Sequence, residues 1–511
     1  MPDPSSHHNN PAEDDDAGPE MLAEDDVQEI LEGGDDDGDV PMESDDEGEE
    51  ILLQNDSIAY FDGHKDSVFA IAQHPLYPNL VATGGSEGDA DDAPGKGYVI
   101  DTSSAASRPV LPPSYNSDPS AASNTQQTTE LQALFAIEGH TDSINALAFT
   151  LPRGEFLVSA GMDGRLRAYS VAVSNAGASA QFKFLAESQE TEEINWLAPC
   201  PATDYPNTLA LGASDGSVWV LTIDAADPSN PIQIVQSYFL HTGPCTAGAW
   251  SPDGALLATV SEDASLHVFD VFGLAAAKSL VTDNGQTVVS LTDADQRFAV
   301  EGGLYSVAVS PLGGLLAVGG AGGAIRIVGI PRLSPQQQSQ QQSRGGGAGA
   351  RRAAEPSTQA GTILASLAVQ QESVESLAFS PSAPLLAAGS VDGSVAVFDT
   401  ARSFALRRHL RGAHDGESVV KVDFVRSASG PAGGWLLTSC GLDGVVRRWD
   451  LRGATASQQV VGTSAGTGLV KEWRGHRGGG EGGGVMGFVQ GETGERVVTA
   501  GDDAIVLVFE A

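Results

Sequence analysis

Several ingredients on which common function classes depend are scarce in this chain. Its 511 residues include three cysteines, Cys200, Cys245 and Cys440, odd in number and far apart. That excludes a disulfide framework and leaves reduced, structural thiols, the pattern of an intracellular protein, cytoplasmic and with the nucleus as a second location. No apolar run reaches the ~18 residues of a membrane helix. The N-terminus is acidic rather than basic and then apolar, so neither a span nor a signal peptide is expected. Positive charge is the largest deficit: 27 Lys and Arg stand against 68 Asp and Glu, a formal charge of -41. Such a balance argues against direct binding of a phosphate backbone and for basic partners.

The motifs of enzyme chemistry are missing too. Gly95-Lys96-Gly97 lacks the upstream glycine spacing and the following Ser or Thr of a phosphate-binding loop. No Gly-x-Ser-x-Gly elbow occurs between a strand and a helix. Gly319-Gly320-Ala321-Gly322-Gly323 reads as a hairpin turn, not a dinucleotide fingerprint. An enzyme is not expected, and no cofactor is implied.

What is present is repetition. Seven times a short apolar run leads into a turn, usually centred on Asp, and a second apolar run follows. Leu256–Asp270 is the clearest copy, with others at Leu157–Tyr169, Leu209–Leu221, Leu385–Asp399, Leu436–Asp450 and Val497–Glu510, and a weak one at Leu315–Gly329 that has lost its Asp. A small sheet repeated in this way must stack on its neighbours to bury both faces. Eight units are counted from their first strands, Val68–Ala72, Ile144–Phe149, Ile194–Ala198, Thr246–Trp250, Tyr305–Val309, Val374–Phe379, Val419–Phe424 and Val485–Val489. The count falls to seven if the weak unit is not a true repeat. The last unit has three strands, and Ser57–Phe61 can supply its fourth, which closes the ring and removes an open edge.

Residues 1–50 hold 21 of the acids and none of the bases. They read as a disordered acidic tail with too little apolar surface to fold. Residues 51–511 make up the ring, interrupted by low-complexity loops at 102–129 and 334–359.

Gly63-His64, Gly139-His140, Leu240-His241, Ala413-His414 and Gly475-His476 precede first strands. Taken with the Asp turns and a Ser or Thr four residues before each, they resemble the WD40 repeat. The resemblance implies an all-β propeller in which Asp, His, Ser or Thr, and Trp form a hydrogen-bonded tetrad within a blade. Carried across residue by residue, the fullest set is His414, Ser439, Asp443 and Trp449. His140, Ser159 and Asp163 match with Tyr169 in the Trp place; His241, Thr259 and Asp263 with Phe269; His476, Thr499 and Asp503 with Phe509. These are structural groups, spaced for a propeller rather than for a metal or a catalytic site.

Binding candidates lie in the loops before the first strands and in the Asp turns. Asp66, Asp142, Glu190, Glu192, Glu193, Glu372, Glu375, Asp415 and Glu417 occupy the former, Glu262 and Asp502 the latter. In a ring these positions converge on one mouth of the channel, where like charges focus a negative field; a solvated surface is the alternative. Trp449-Asp450-Leu451-Arg452 matches the box of propellers that serve cullin-type ubiquitin ligases. Arg407, Arg408, His409 and Arg411 are expected on a salt-bridged outer surface.

Asn55–Phe69, leading to His74-Pro75 and Val81–Gly85, is more specific than a general WD40 opening. With the acidic tail before it, it resembles the angio-associated migratory cell protein family, whose fungal members are dedicated chaperones of a ribosomal protein. The resemblance implies a monomer without cofactors. It would capture a basic large-subunit ribosomal protein by its N-terminal segment and support 60S assembly. A ubiquitin-ligase receptor and a signalling scaffold remain as rivals.

Overall fold

Apolar runs that must bury two faces are satisfied by stacking sheet upon sheet, and the computed structural model has this arrangement. It describes residues 55–88, 90, 93–105, 128–174, 180–333, 360–426, 433–453, 468–478 and 482–511. These belong to the unit Leu53–Ala511; the unit Met1–Leu52, and with it the tail reading, lies outside the described residues, as do 334–359 and 106–127 of the other loop.

Eight sheets follow one another along the chain, seven of four strands and one of five. Blade 4 shows the plan: Cys245–Trp250, Leu256–Ser261, Leu266–Asp270 and Thr287–Leu291 pair antiparallel in sequence order. First strands of successive blades lie side by side all the way round, and Val485–Val489 of blade 8 returns to Ala70–Gln73 of blade 1. Middle strands such as Leu256–Ser261 and Leu385–Ser390 are buried at every residue, because a neighbouring blade covers each face. Val260, Leu266 and Val268 of blade 4, for instance, pack with Leu304, Val318 and Val328 of blade 5. Each buried aliphatic of this kind contributes about 1.5–3 kcal/mol.

The weak repeat is a complete blade, which fixes the number at eight. Leu304–Val309, Leu315–Gly320, Ala324–Gly329 and Ile363–Ala368 form it. Its Asp turn is replaced by a tight turn at Ala321–Gly323, where Gly322 and Gly323 have φ of 59° and 70°. A Cβ on Gly323 would sit 1.9 Å from the Gln370 carbonyl oxygen. Glycine permits both the left-handed backbone and the close approach.

Ala59–Phe61 closes blade 8 as expected, pairing Ala59 with Val508 and Phe61 with Val506. The loop boundary at 129 is corrected. Thr129–Glu130 is a fifth strand, parallel to the closing one. The Thr129 and Leu131 amides donate to the Ile58 and Tyr60 carbonyls at 3.1 and 2.8 Å, which satisfies the edge that closure would otherwise expose.

Candidate functional site

The His and Asp residues of the repeats are spent on holding blades together. His414 donates or accepts at Nε2 with Ser439 Oγ and at Nδ1 with Asp443 Oδ1, both 2.8 Å, and the Trp449 indole donates to Ser439 at 2.9 Å. His140 joins Ser159 (2.8 Å) and Asp163 (3.1 Å), and His476 joins Thr499 (2.7 Å) and Asp503 (2.9 Å). Tyr169, in the Trp place, accepts from Arg167 instead. The fourth set departs from expectation: His241 Nε2 meets Thr259 at 2.8 Å, but Nδ1 meets Ser265 Oγ at 2.6 Å while Asp263 stands 3.8 Å away. Ser265 is long enough to intercept the ring, so Asp263 turns to the Thr242 and Ser265 amides. Burial alone would raise the Asp443 carboxyl; His414 and Arg447 outweigh it and hold it below the usual range. Two further networks had weak sequence signals: His64 with Thr83 at 2.9 Å, and Gln370, standing in for His, with Ser394.

The channel mouth is built by a recurrent irregularity. In blades 2 to 8 the pairing of first and second strands skips one residue, the second of the first strand: Asn145, Asn195, Thr246, Tyr305, Glu375, Val420 and Met486. A bulge re-aims its extra side chain, here towards the channel. Asn195, Thr246, Tyr305, Glu375 and Val420 line a cavity of about 560 Å³ together with Glu193, Ser214, Pro244 and Glu262.

Backbone bonds fix the carboxylates around it. Ser214 N donates to Glu193 O at 3.2 Å, and Glu262 N to Pro244 O at 3.1 Å. Gly303, at φ 95°, lies so close that a Cβ there would come within 2.9 Å of Glu262 Cα. Side chains of blades 2, 3, 4, 5 and 7 stitch each of these to the next blade. Asn145 donates to Ile194 O, Asn195 to Cys245 O, Thr246 to Leu304 O, Ser306 to Val374 O and Lys421 to Phe488 O, at 2.6–3.0 Å.

Of the acidic positions read from sequence, the structure brings Glu193, Glu262 and Glu375 into this one cavity, with no Lys or Arg within ion-pair distance among the described residues. The Tyr305 phenol reports their field, being pushed up by burial and then by the charges of Glu262 and Glu375. Glu192 and Glu372 are exposed beside them in sequence, and Glu417 is exposed on blade 7. The others are drawn elsewhere. Asp66 and Asp142 accept from the Ser67 and Ser143 amides, Asp502 from the Ser67 hydroxyl, and Asp415 pairs with Arg447 at 3.3 Å. Glu190 lies in a separate small cleft with Gly164 and Leu166. Arg452 pairs with Asp450. Among the described residues Arg407 has no ion pair; it donates to Leu451 O and lies over the Trp435 ring, 4.9 Å from its centroid.

The family model for the WD domain, G-beta repeat, matches residues 131–170, 232–270 and 361–399. The ribosome assembly protein SQT1 of Saccharomyces cerevisiae is 28% identical over 94% of this chain and 92% of its own. A crystal structure of Sqt1 from Chaetomium thermophilum, bound to the N-terminus of the ribosomal protein L10, is 69% identical with a TM-score of 0.76, covering 90% of this chain and all of that one. The chain belongs to the Sqt1 family of WD40 propellers. The human angio-associated migratory cell protein is 24% identical over 89% of this chain and 80% of its own. In this Sqt1-type ring the tetrads account for the repeat signature, and the bulged mouth residues are what vary from blade to blade.

Proposed function

We propose that this protein is a dedicated, non-enzymatic chaperone for the large-subunit ribosomal protein L10, capturing its basic N-terminal segment in the mouth of the propeller and delivering it to 60S assembly. The observation that carries the reading is the cavity holding Glu193, Glu262 and Glu375 without basic partners among the described residues. Carboxylates arranged in this way around a low-dielectric wall attract a cationic segment and accept charge-assisted hydrogen bonds from its arginines or lysines. A relative 69% identical crystallised with the L10 N-terminus supports the choice of client. Electrostatic capture gives fast, salt-sensitive association and needs no covalent step. Capture of a newly made client calls for a cytoplasmic location.

The test is titration of the full chain with a peptide of the L10 N-terminus at low and moderate salt. Tight binding that weakens with salt and is lost in the Glu193→Lys, Glu262→Lys double variant is expected. Absence of binding at any salt would sink the proposal.

A further inference from the structure

The mouth is not uniformly acidic. At the bulge positions Asn195, Thr246, Tyr305 and Glu375 of blades 3 to 6 give way to Val420 on blade 7 and Met486 on blade 8. Phe69 of blade 1 follows the buried Val68 as Asn145 follows Ile144, and it is 37% exposed. Met162 of blade 2 holds the turn position that Ser214 and Glu262 hold on blades 3 and 4, its amide bonded to Ser143 O as theirs are to Glu193 O and Pro244 O. It is 45% exposed. Val420 itself lines the acidic cavity.

On blades 1 and 8 three acids are held by neighbours, while Glu417 of blade 7 is exposed. Glu87 is bridged by Lys65 at 2.7 Å and Lys96 at 3.7 Å. Asp66 and Asp502 are bound by Ser67. A large apolar side chain left exposed at a rim, beside an unneutralised acidic cavity, suits a ligand that carries both characters.

We propose that the mouth is a two-part peptide site. In it the acidic arc of blades 3 to 6 takes the basic side chains of the client segment, and Phe69, Met486 and Val420 take an apolar or aromatic side chain of the same segment. This rests on the chaperone reading and adds a second element of recognition to it. Coulombic contacts weaken with salt, whereas apolar contacts do not. The two arcs are therefore separable by experiment.

The probes are the L10 N-terminal peptide and a set of arginine-rich peptides in which one Phe is moved through successive positions, each paired with its Ser counterpart. They are titrated into the full chain and into the Phe69→Ser and Met486→Ser variants at two salt concentrations. The expected result is a loss of about 10-fold in affinity for each variant, the same at both salts. A Phe advantage at some positions of the scan should disappear in Phe69→Ser. Equal thermal stability of wild type and variants identifies the loss as one of contact. If the peptides bind with salt-sensitive affinity but neither variant nor the Phe scan changes it, the apolar arc is not part of the site, while the chaperone reading stands. If nothing binds at any salt, both fall.

Discussion

Substituting His64 by Gln should flatten the acid side of the stability profile. His64 sits between the Phe61 and Tyr98 rings, with centroids 5.9 and 4.9 Å away, and among the described residues its one hydrogen bond is to Thr83. Its Nδ1 is buried without a partner. Burial, opposed by Glu87 and reinforced by Lys96, lowers its pKa from 6.5 to about 4. The folded state thus binds fewer protons than the unfolded chain between those values. This histidine's contribution is full above about pH 6.5 and is lost as pH falls towards 4. From about pH 7.5 to 5 the loss integrates to about 2 kcal/mol, since each pH unit separating the folded and unfolded pKa values is worth about 1.4 kcal/mol. Gln retains a donor for Thr83 and does not titrate. In urea unfolding at the two pH values, His64→Gln should lose about 2 kcal/mol less than the wild type over this interval. An identical pH dependence in both proteins would refute the reasoning, whatever the variant's stability at neutral pH.

Asp443→Asn removes the carboxylate that serves both His414 and the buried Arg447, and should cost about 3–5 kcal/mol in urea unfolding. Asp263→Asn should cost nearer 1–2 kcal/mol, because Ser265 already holds the His241 ring. Glu262→Lys should reduce affinity for the L10 peptide by at least about 10-fold at low salt and by less at high salt, read by calorimetry. Deleting residues 1–54 should leave the melting temperature nearly unchanged, whereas deleting 1–62 strips the partner from Val506–Glu510 and should abolish the cooperative transition. A melting curve of each decides it.

The ring was legible because paired apolar runs around an Asp turn recur in the well-formed units. Even closure by Ser57–Phe61 followed from counting strands. Blade 5 was harder to read: glycine conformations and the approach of Gly323 to the Gln370 carbonyl replace its Asp turn, and neither leaves a polar signature. At the mouth, Glu193, Glu262 and Glu375 were found by their topological position. Tyr305, Asn195 and Val420 were not, since a bulge is a backbone event that swaps a residue's face without changing its type. Residue type alone likewise could not separate Glu193 from Asp66, both acidic and both just before a first strand. What separates them is a local acceptor role, the Ser67 amide being within reach of a short Asp side chain.

The distribution of bases explains how the mouth stays charged. Thirteen of the 27 Lys and Arg lie between residues 402 and 496, on blades 6 to 8. There Arg447 binds Asp443, Asp415 and Glu472; Arg474 binds Glu472; and Arg452 binds Asp450. Arg448 is buried against Thr438, Gln490 and the Gly494 carbonyl, and burial lowers its pKa to about 10. Cations used in this way cannot reach across the channel to Glu193, Glu262 or Glu375. A chain with this net charge could neutralise a cavity only by moving a base to it, and blades 3 to 5 have few to move. The negative mouth is therefore a property of where the bases are committed as much as of where the acids stand. Placing one long base on that arc, as in Thr246→Lys, should silence the cavity for a cationic peptide without touching any of its carboxylates.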